Sequence, residues 1–323
     1  MTSRQRLGIR EVFGLSPLRR RVAEAWLTLR GDATTPPSRY DLSSLKQLTR
    51  VSGPRIWAGQ RVAGRRVPIS NLFSYVQPPA EEGWSVRITT ARDFMGTQLT
   101  YDSHNGTDLA TPVGTRVVAA APGVVRRISS EFNRGGLKIF VDHGDNLVTT
   151  YNHLARALVR VGEHVSRAQV LALSGYSGID GLATFPWGIP HVHFNVWLDG
   201  EYVDPFAPDG ETPLWIHGNW PEPHHGAEDS EVPPTRWNRE ALLRAREACL
   251  SEASRREIDD AGDDDTLGMT LLFHTSYYPT RFRERPFLYE ARVARTPRLT
   301  LPFLAEDYDG VFFPGGTEPA RPT

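Results

Sequence analysis

The side chains in this chain best suited to act together are histidines and one aspartate. His104 and Asp108 flank Asn105-Gly106-Thr107, and His191 and His193 flank Val192. On an extended segment side chains alternate, so a step of two or four residues returns to the same face. Two short strands that each present two ligand-capable groups on one side can enclose a zinc ion. Zinc takes imidazole nitrogens and carboxylate oxygens in a tetrahedron, and a catalytic site leaves one position open.

The chain has 10 histidines. His191, His193, Asn195 and Trp197 share one face of a strand, while Val192, Phe194, Val196 and Leu198 share the other. The apolar face should pack inward and the histidines project into a groove. His153 closes an alternation of Leu147, Thr149 and Tyr151, and so points sideways from a sheet. Taken alone, each pair has a plain explanation: a cross-strand polar ladder, or an Asx turn around Asn105-Gly106. Together they favour a metal site. His143 before Gly144-Asp145-Asn146 reads as a turn residue, and His164 beside Gly162-Glu163 as an exposed one. His217, His224, His225 and His274 lie outside this stretch and carry no ligand assignment.

The elements that must position these groups are short strands. Residues 86–90, 116–120, 124–128, 137–141, 147–151 and 170–173 alternate or run apolar between glycine, asparagine and aspartate turns. They predict a mostly antiparallel β domain over 84–210. Before it, in 1–83, Leu18, Val22, Ala25, Trp26 and Leu29 recur at helical spacing, with the arginines on the wet face. A basic amphipathic helix can lie on a membrane, but a solvated face suffices. After it, in 211–323, a helix is predicted over 236–258, and strands over 269–273, 287–294 and 299–303. The aspartates around Gly262 lack the ligand spacing of an EF-hand and read as a solvated loop. The proline-rich C-terminus reads as frayed. The class is α+β, with a central sheet and α-containing flanks.

Composition narrows the field. With 323 residues the chain can bury a large core, and its formal net charge of -1 offers no attraction for nucleic acid. Arginine outnumbers lysine, which stands only at Lys46 and Lys138. Cys249 is the one cysteine, which excludes an intrachain disulfide. No run approaches the roughly 18 apolar residues of a transmembrane segment. Behind Met1 to Arg6 no apolar stretch predicts a Sec-type signal peptide, so the default location is cytoplasmic unless another export route exists. The oligomeric state is not legible.

The ordered motifs resemble those of the lysostaphin-type (LytM-like) zinc endopeptidases that cut peptide bonds in bacterial peptidoglycan. The likeness runs through His104-Asn105-Gly106-Thr107-Asp108, Pro122-Gly123-Val124-Val125, Tyr151-Asn152-His153-Leu154, Leu173-Ser174-Gly175-Tyr176-Ser177-Gly178, Pro190-His191-Val192-His193-Phe194 and Val203-Asp204-Pro205. It covers about residues 100–208. It implies a small lipoyl-like (duplicated-hybrid-motif-like) antiparallel β fold and one Zn2+ per chain. It also implies that His104, Asp108 and His193 are the metal ligands and that His153 and His191 are catalytic. One histidine would serve as the base and the other would donate to the oxyanion, with the two roles unassigned. The implied partner is a peptidoglycan peptide or another peptide substrate.

Two features depart from the family pattern: residues 179–189 replace a short Ser/Thr-Gly turn, and no export signal is evident. Phe185, Pro186 and Trp187 in that insertion are expected to help form one wall of the groove. A non-catalytic module of the same fold is a rival, as is a zinc hydrolase acting on a different peptide. A lipoyl-type carrier is disfavoured because residues 161–169 lack the lysine it needs at the turn.

Overall fold

The computed structural model describes residues 6–226, 231–316 and 318–319. The start of the expected leaderless N-terminus, part of the acid-rich loop after Pro208 and most of the C-terminal tail lie outside them. Among the described residues eleven strands form one sheet: β1 Arg66–Asn71, β2 Thr107–Ala110, β3 Arg116–Val118, β4 Gly123–Glu131, β5 Gly136–Asp142, β6 Leu147–Ala157, β7 His164–Val165, β8 Val170–Ser174, β9 His191–Leu198, β10 Glu201–Val203 and β11 Gly310–Phe312. The order is β11-β1-β2-β9-β6-β5-β4-β7, with β10 beside β9 and β8 linking β6 to β3. Every ladder is antiparallel except β1 with β11. Helices are α1 Ile9–Val12, α2 Leu18–Arg30, α3 Gly53–Trp57, α4 Ile179–Thr184, α5 Arg239–Ala248, α6 Glu252–Asp259 and α7 Asp264–Tyr277. The class is α+β, as the periodicities imply.

The sheet crosses the composition boundaries at 83 and 210, because β1 and β11 from the two flanks extend it beyond β2. One face packs Ile69, Leu109, Ile139, Tyr151, Val192 and Phe194 with Leu301 and Phe303 from the C-terminal segment. On the other face Phe140, Val148 and Trp197 meet Leu271 and Phe273 of α7 and Leu242 of α5. The hairpin between β5 and β6 turns through Asp145 and Asn146, whose positive φ values of 46° and 54° match a tight two-residue turn.

Several elements differ from expectation. Residues 86–90 form no strand; Asp102 instead accepts the Thr89 amide, fixing an irregular crossing. Residues 269–273 belong to α7, which is buried from Leu267 to Thr275; an apolar run surrounded by protein fits helix as well as strand. Residues 287–294 and 299–303 form no ladder; they bend, and hold single bridges, Trp237 to Tyr289 and Trp215 to Leu299. The helix expected over 236–258 breaks at Cys249, and Ser251 caps α6 by accepting from Ser254 N. Asp263 caps α7 in the same way, accounting for one residue of the acidic cluster.

The α2 helix is turned over relative to its pattern. Arg21 is buried, while Leu18, Val22, Trp26 and Leu29 are each more than half exposed. The Arg21 guanidinium donates to Ser16 O, Ser130 O and Ser130 Oγ, and Glu24 accepts the Phe132 amide at 2.7 Å. These bonds fix the polar side against the end of β4 with its groups satisfied, which overrides apolar burial. Among the described residues no helix is long and apolar enough to cross a membrane.

Candidate functional site

Strands β2 and β9 pair with Asp108 opposite His193 and Ala110 opposite His191. Because Val192 and Phe194 enter the core, His191 and His193 face the other side, as their alternation predicts. Asp108 Oδ1 lies 2.7 Å from His193 Nδ1, 3.0 Å from His104 Nε2 and 3.5 Å from His191 Nε2. His104 arrives differently from the expectation, since β2 starts only at Thr107. It sits in the preceding loop, where its ring Nδ1 donates to Leu72 O and its carbonyl accepts the Ser74 amide. Gly106 lets that loop pass close, since a Cβ there would meet Phe194 O at 2.6 Å and His193 Nε2 at 2.8 Å.

His153 also joins the cluster by an irregularity. Strict alternation along β6 would send it into the core after Leu147 and Tyr151. Its φ of 59° breaks that alternation, a backbone state uncommon outside glycine and concentrated at functional sites. Its ring centre lies 4.7 Å from that of His191 and 6.1 Å from that of His193. The structure therefore brings all five expected side chains together.

Backbone carbonyls set the tautomers. His153 Nδ1 donates to Ser177 O at 2.8 Å and His191 Nδ1 to Ile189 O at 2.7 Å, so each neutral ring keeps its lone pair on Nε2. The Leu72 carbonyl does the same for His104. Burial, with His191 and His193 nearby, pushes the His153 pKa down to about 3, so that ring is a neutral acceptor at ordinary pH. Burial likewise lowers His193, opposed by Asp108. For Asp108 burial acts upward, but His104, His191 and the histidine hydrogen bonds outweigh it and hold the carboxyl well below the usual range.

This donor set suits a cation. One ligand atom from each of His104, Asp108 and His193 lies within 4.8 Å of the others, and all three residues are buried. With Nδ1 directed at Leu72 O, His104 in its neutral form turns an Nε2 lone pair toward the carboxylate oxygen 3.0 Å away, so the two can share a cation as donors. Asn195 Nδ2 lies 2.8 Å from His193 Nε2 and donates to it, leaving the His193 proton on Nδ1 toward Asp108. A proton thus stands beside the position that a metal would take.

The flanks add groups that the sequence did not reveal. Asn71 Nδ2 donates to Asp108 Oδ2 at 2.6 Å, and the half-buried Arg50 guanidinium donates to Asn71 Oδ1 and to Thr100 O. Tyr277 of α7 donates to Asn152 Oδ1 at 3.1 Å, and Asn152 donates to Asn195 Oδ1 at 2.9 Å. These partners sit far from the motifs in sequence and follow no spacing rule that could have found them.

A cavity of about 350 Å³ opens over Asp108, His153 and His191, walled by Leu29, Leu48, Tyr101 and the insertion. The insertion lines it with Ile179, Ala183, Thr184 and Ile189 rather than with the expected aromatic residues. Phe185 packs edge-on against Phe13 and Trp57, at 5.4 and 5.0 Å, and Trp187 is 65% exposed.

The model of peptidase family M23 matches residues 102–205. Residues 102–205 form an M23 peptidase domain. Over 105 residues the chain is 35% identical to the peptidoglycan DD-endopeptidase ShyC of Vibrio cholerae, covering 32% of this chain and 22% of that protein. ShyA of the same organism is 36% identical over 102 residues, or 31% and 22% of the two chains. The chain thus spans about a fifth of the length of these relatives. Among solved structures, the catalytic domain of lysostaphin from Staphylococcus simulans is 27% identical over 32% of this chain and 76% of its own, with a TM-score of 0.28. LytU is 26% identical over 44% and 83%, with a TM-score of 0.31.

Proposed function

We propose that the protein is a zinc-dependent endopeptidase acting on peptide bonds of peptidoglycan cross-links. The observation that carries the reading is the convergence of His104 Nε2, Asp108 Oδ1 and His193 Nδ1 beside two further histidines that present Nε2 lone pairs. We assign the first three as ligands of one zinc ion. When bound, zinc supplies Lewis acidity toward a peptide carbonyl and a water. His153 Nε2, neutral and fixed by Ser177 O, is suited to take the proton of the attacking water. His191 Nε2, fixed by Ile189 O and 3.5 Å from Asp108 Oδ1, is suited to hold a proton for the developing oxyanion or the leaving amine. The two roles are interchangeable on this geometry. Activity toward peptidoglycan is also suggested by the relatives ShyC and ShyA, which are named for it.

Metal analysis of the purified protein, coupled to digestion of isolated peptidoglycan, tests the reading. About one zinc per chain and release of cross-linked peptides support it. Cleavage that survives complete chelation, or a metal-loaded protein inert on every peptide, overturns it.

A further inference from the structure

The turn between β4 and β5 carries a feature that the metal site does not use. Gly135 O accepts the amide of His153 at 2.8 Å, so the preceding residues Asn133 and Arg134 lie against the site. Asn133 is 6% exposed; its Oδ1 accepts from Tyr278 at 3.3 Å, which orients the amide and leaves Nδ2 buried without a partner. A buried donor left unpaired is costly and calls for an acceptor. Beside it stands Arg134, a half-buried guanidinium. Its Nη1 donates to Asn133 O at 2.9 Å and its Nε faces Tyr277 O at 3.4 Å, yet among the described residues no carboxylate pairs with it. Its guanidinium lies 5.7 Å from the centre of the Trp84 ring and 5.5 Å from that of Tyr278.

Both residues line a space of about 50 Å³ that they share with His153, His193 and Asn152. Arg134 and Trp84 also line an adjoining cavity of about 270 Å³ containing Phe73 and Tyr202. A small, aromatic-walled recess with an uncompensated guanidinium and an orphaned amide donor selects a planar anion with two acceptor oxygens. We propose that this recess binds a carboxylate of the substrate peptide, with Arg134 and Asn133 as its donors. The proposal rests on the peptidase reading for the identity of the peptide, but the recess binds its ligand whether or not cleavage follows.

The test uses calorimetric titration of the full-length protein with cell-wall stem tetrapeptides. In one peptide every carboxyl is amidated; in the others a single carboxyl is left free. One free-carboxyl peptide should bind about tenfold tighter than the fully amidated one. Arg134→Gln should erase that preference, and Arg134→Lys, which keeps charge but loses the fork, should retain part of it. Asn133→Asp, which replaces a donor by a like charge, should weaken the acid peptide selectively. Equal binding of all the peptides by the wild type, binding of none, or a preference that survives Arg134→Gln overturns the assignment. Cleavage is read separately: turnover without acid preference removes this recess alone, and acid preference without turnover removes the peptidase reading alone.

Discussion

Asn71 Nδ2 donates to Asp108 Oδ2 at 2.6 Å, so one oxygen of the carboxylate is held by the N-terminal segment while the other faces three histidines. The strand that supplies Asn71, β1, pairs with β2 in a ladder whose register shifts between Ile69 and Asn71. That irregularity brings the amide opposite Asp108. The flank therefore orients a candidate ligand as well as extending the sheet. Removing such an outer partner lowers metal affinity by roughly 10- to 100-fold in comparable sites. Asn71→Ala is expected to weaken zinc binding by that order, measured by competition with a chromogenic chelator. Affinity equal to wild type would show that Asp108 is positioned without it.

The five-residue cluster divides by metal content. His104→Ala, Asp108→Ala and His193→Ala should each lose stoichiometric zinc. His153→Ala and His191→Ala should keep it and lose turnover by roughly 10²- to 10⁴-fold, the range of general acid–base catalysis. Elemental analysis alongside rate measurement separates the two classes. A ligand variant with full zinc, or a His153→Ala enzyme of normal rate, reassigns that residue.

How much of this was legible follows from the length scale of each signal. The alternation of His191 and His193 against Val192 and Phe194 showed which face enters the core, because a strand under one-sided burial must obey it. His104 and His153 reach the site through a loop and a left-handed backbone, which alternation cannot anticipate. Residues 269–273 misread as strand because α7 is surrounded by protein and its apolar residues show no single stripe. For α2 the stripe was real but the packing was set by Arg21 and Glu24 bonding to Ser130 and Phe132, residues a hundred positions away. Asn71, Arg50 and Tyr277 carry no local signature, since their roles exist only after the sheet has formed.

His143 gives a prediction about pH. It is fully buried, its Nδ1 donates to Pro122 O at 2.8 Å and its Nε2 lies 2.8 Å from Thr149 Oγ1, so the ring is held neutral. Burial pushes its pKa down to about 3, against about 6.5 in the unfolded chain. The folded state therefore binds fewer protons than the unfolded state between these values. Its contribution is complete above pH 6.5 and is lost as pH falls toward 3, by about 1.4 kcal/mol per unit at most. Urea midpoints of wild type and His143→Gln should converge on acidification from pH 7 to 5. Parallel pH dependences would mean that His143 does not titrate as its burial requires.

The insertion over residues 179–189 does two separable things. Phe185 meets Phe13 and Trp57, and Trp57 Nε1 donates to Gly188 O at 3.1 Å, which ties the insertion to the N-terminal segment. Ile179, Ala183 and Ile189 instead line the groove over His191. Phe185→Ala should lower the melting temperature, since aromatic pairs of this kind contribute about 0.5–1.5 kcal/mol each beyond area burial, while leaving the choice of peptide unchanged. Ala183→Trp should narrow the groove and raise KM most for peptides with bulky side chains, at unchanged zinc content. Replacing the whole insertion by a Ser-Gly turn removes both the tie and the wall, so stability and peptide profile should change together while zinc is retained. If the shortened enzyme loses stability but cuts the same peptides at the same relative rates, the insertion is packing alone and the groove takes its selectivity from its other walls.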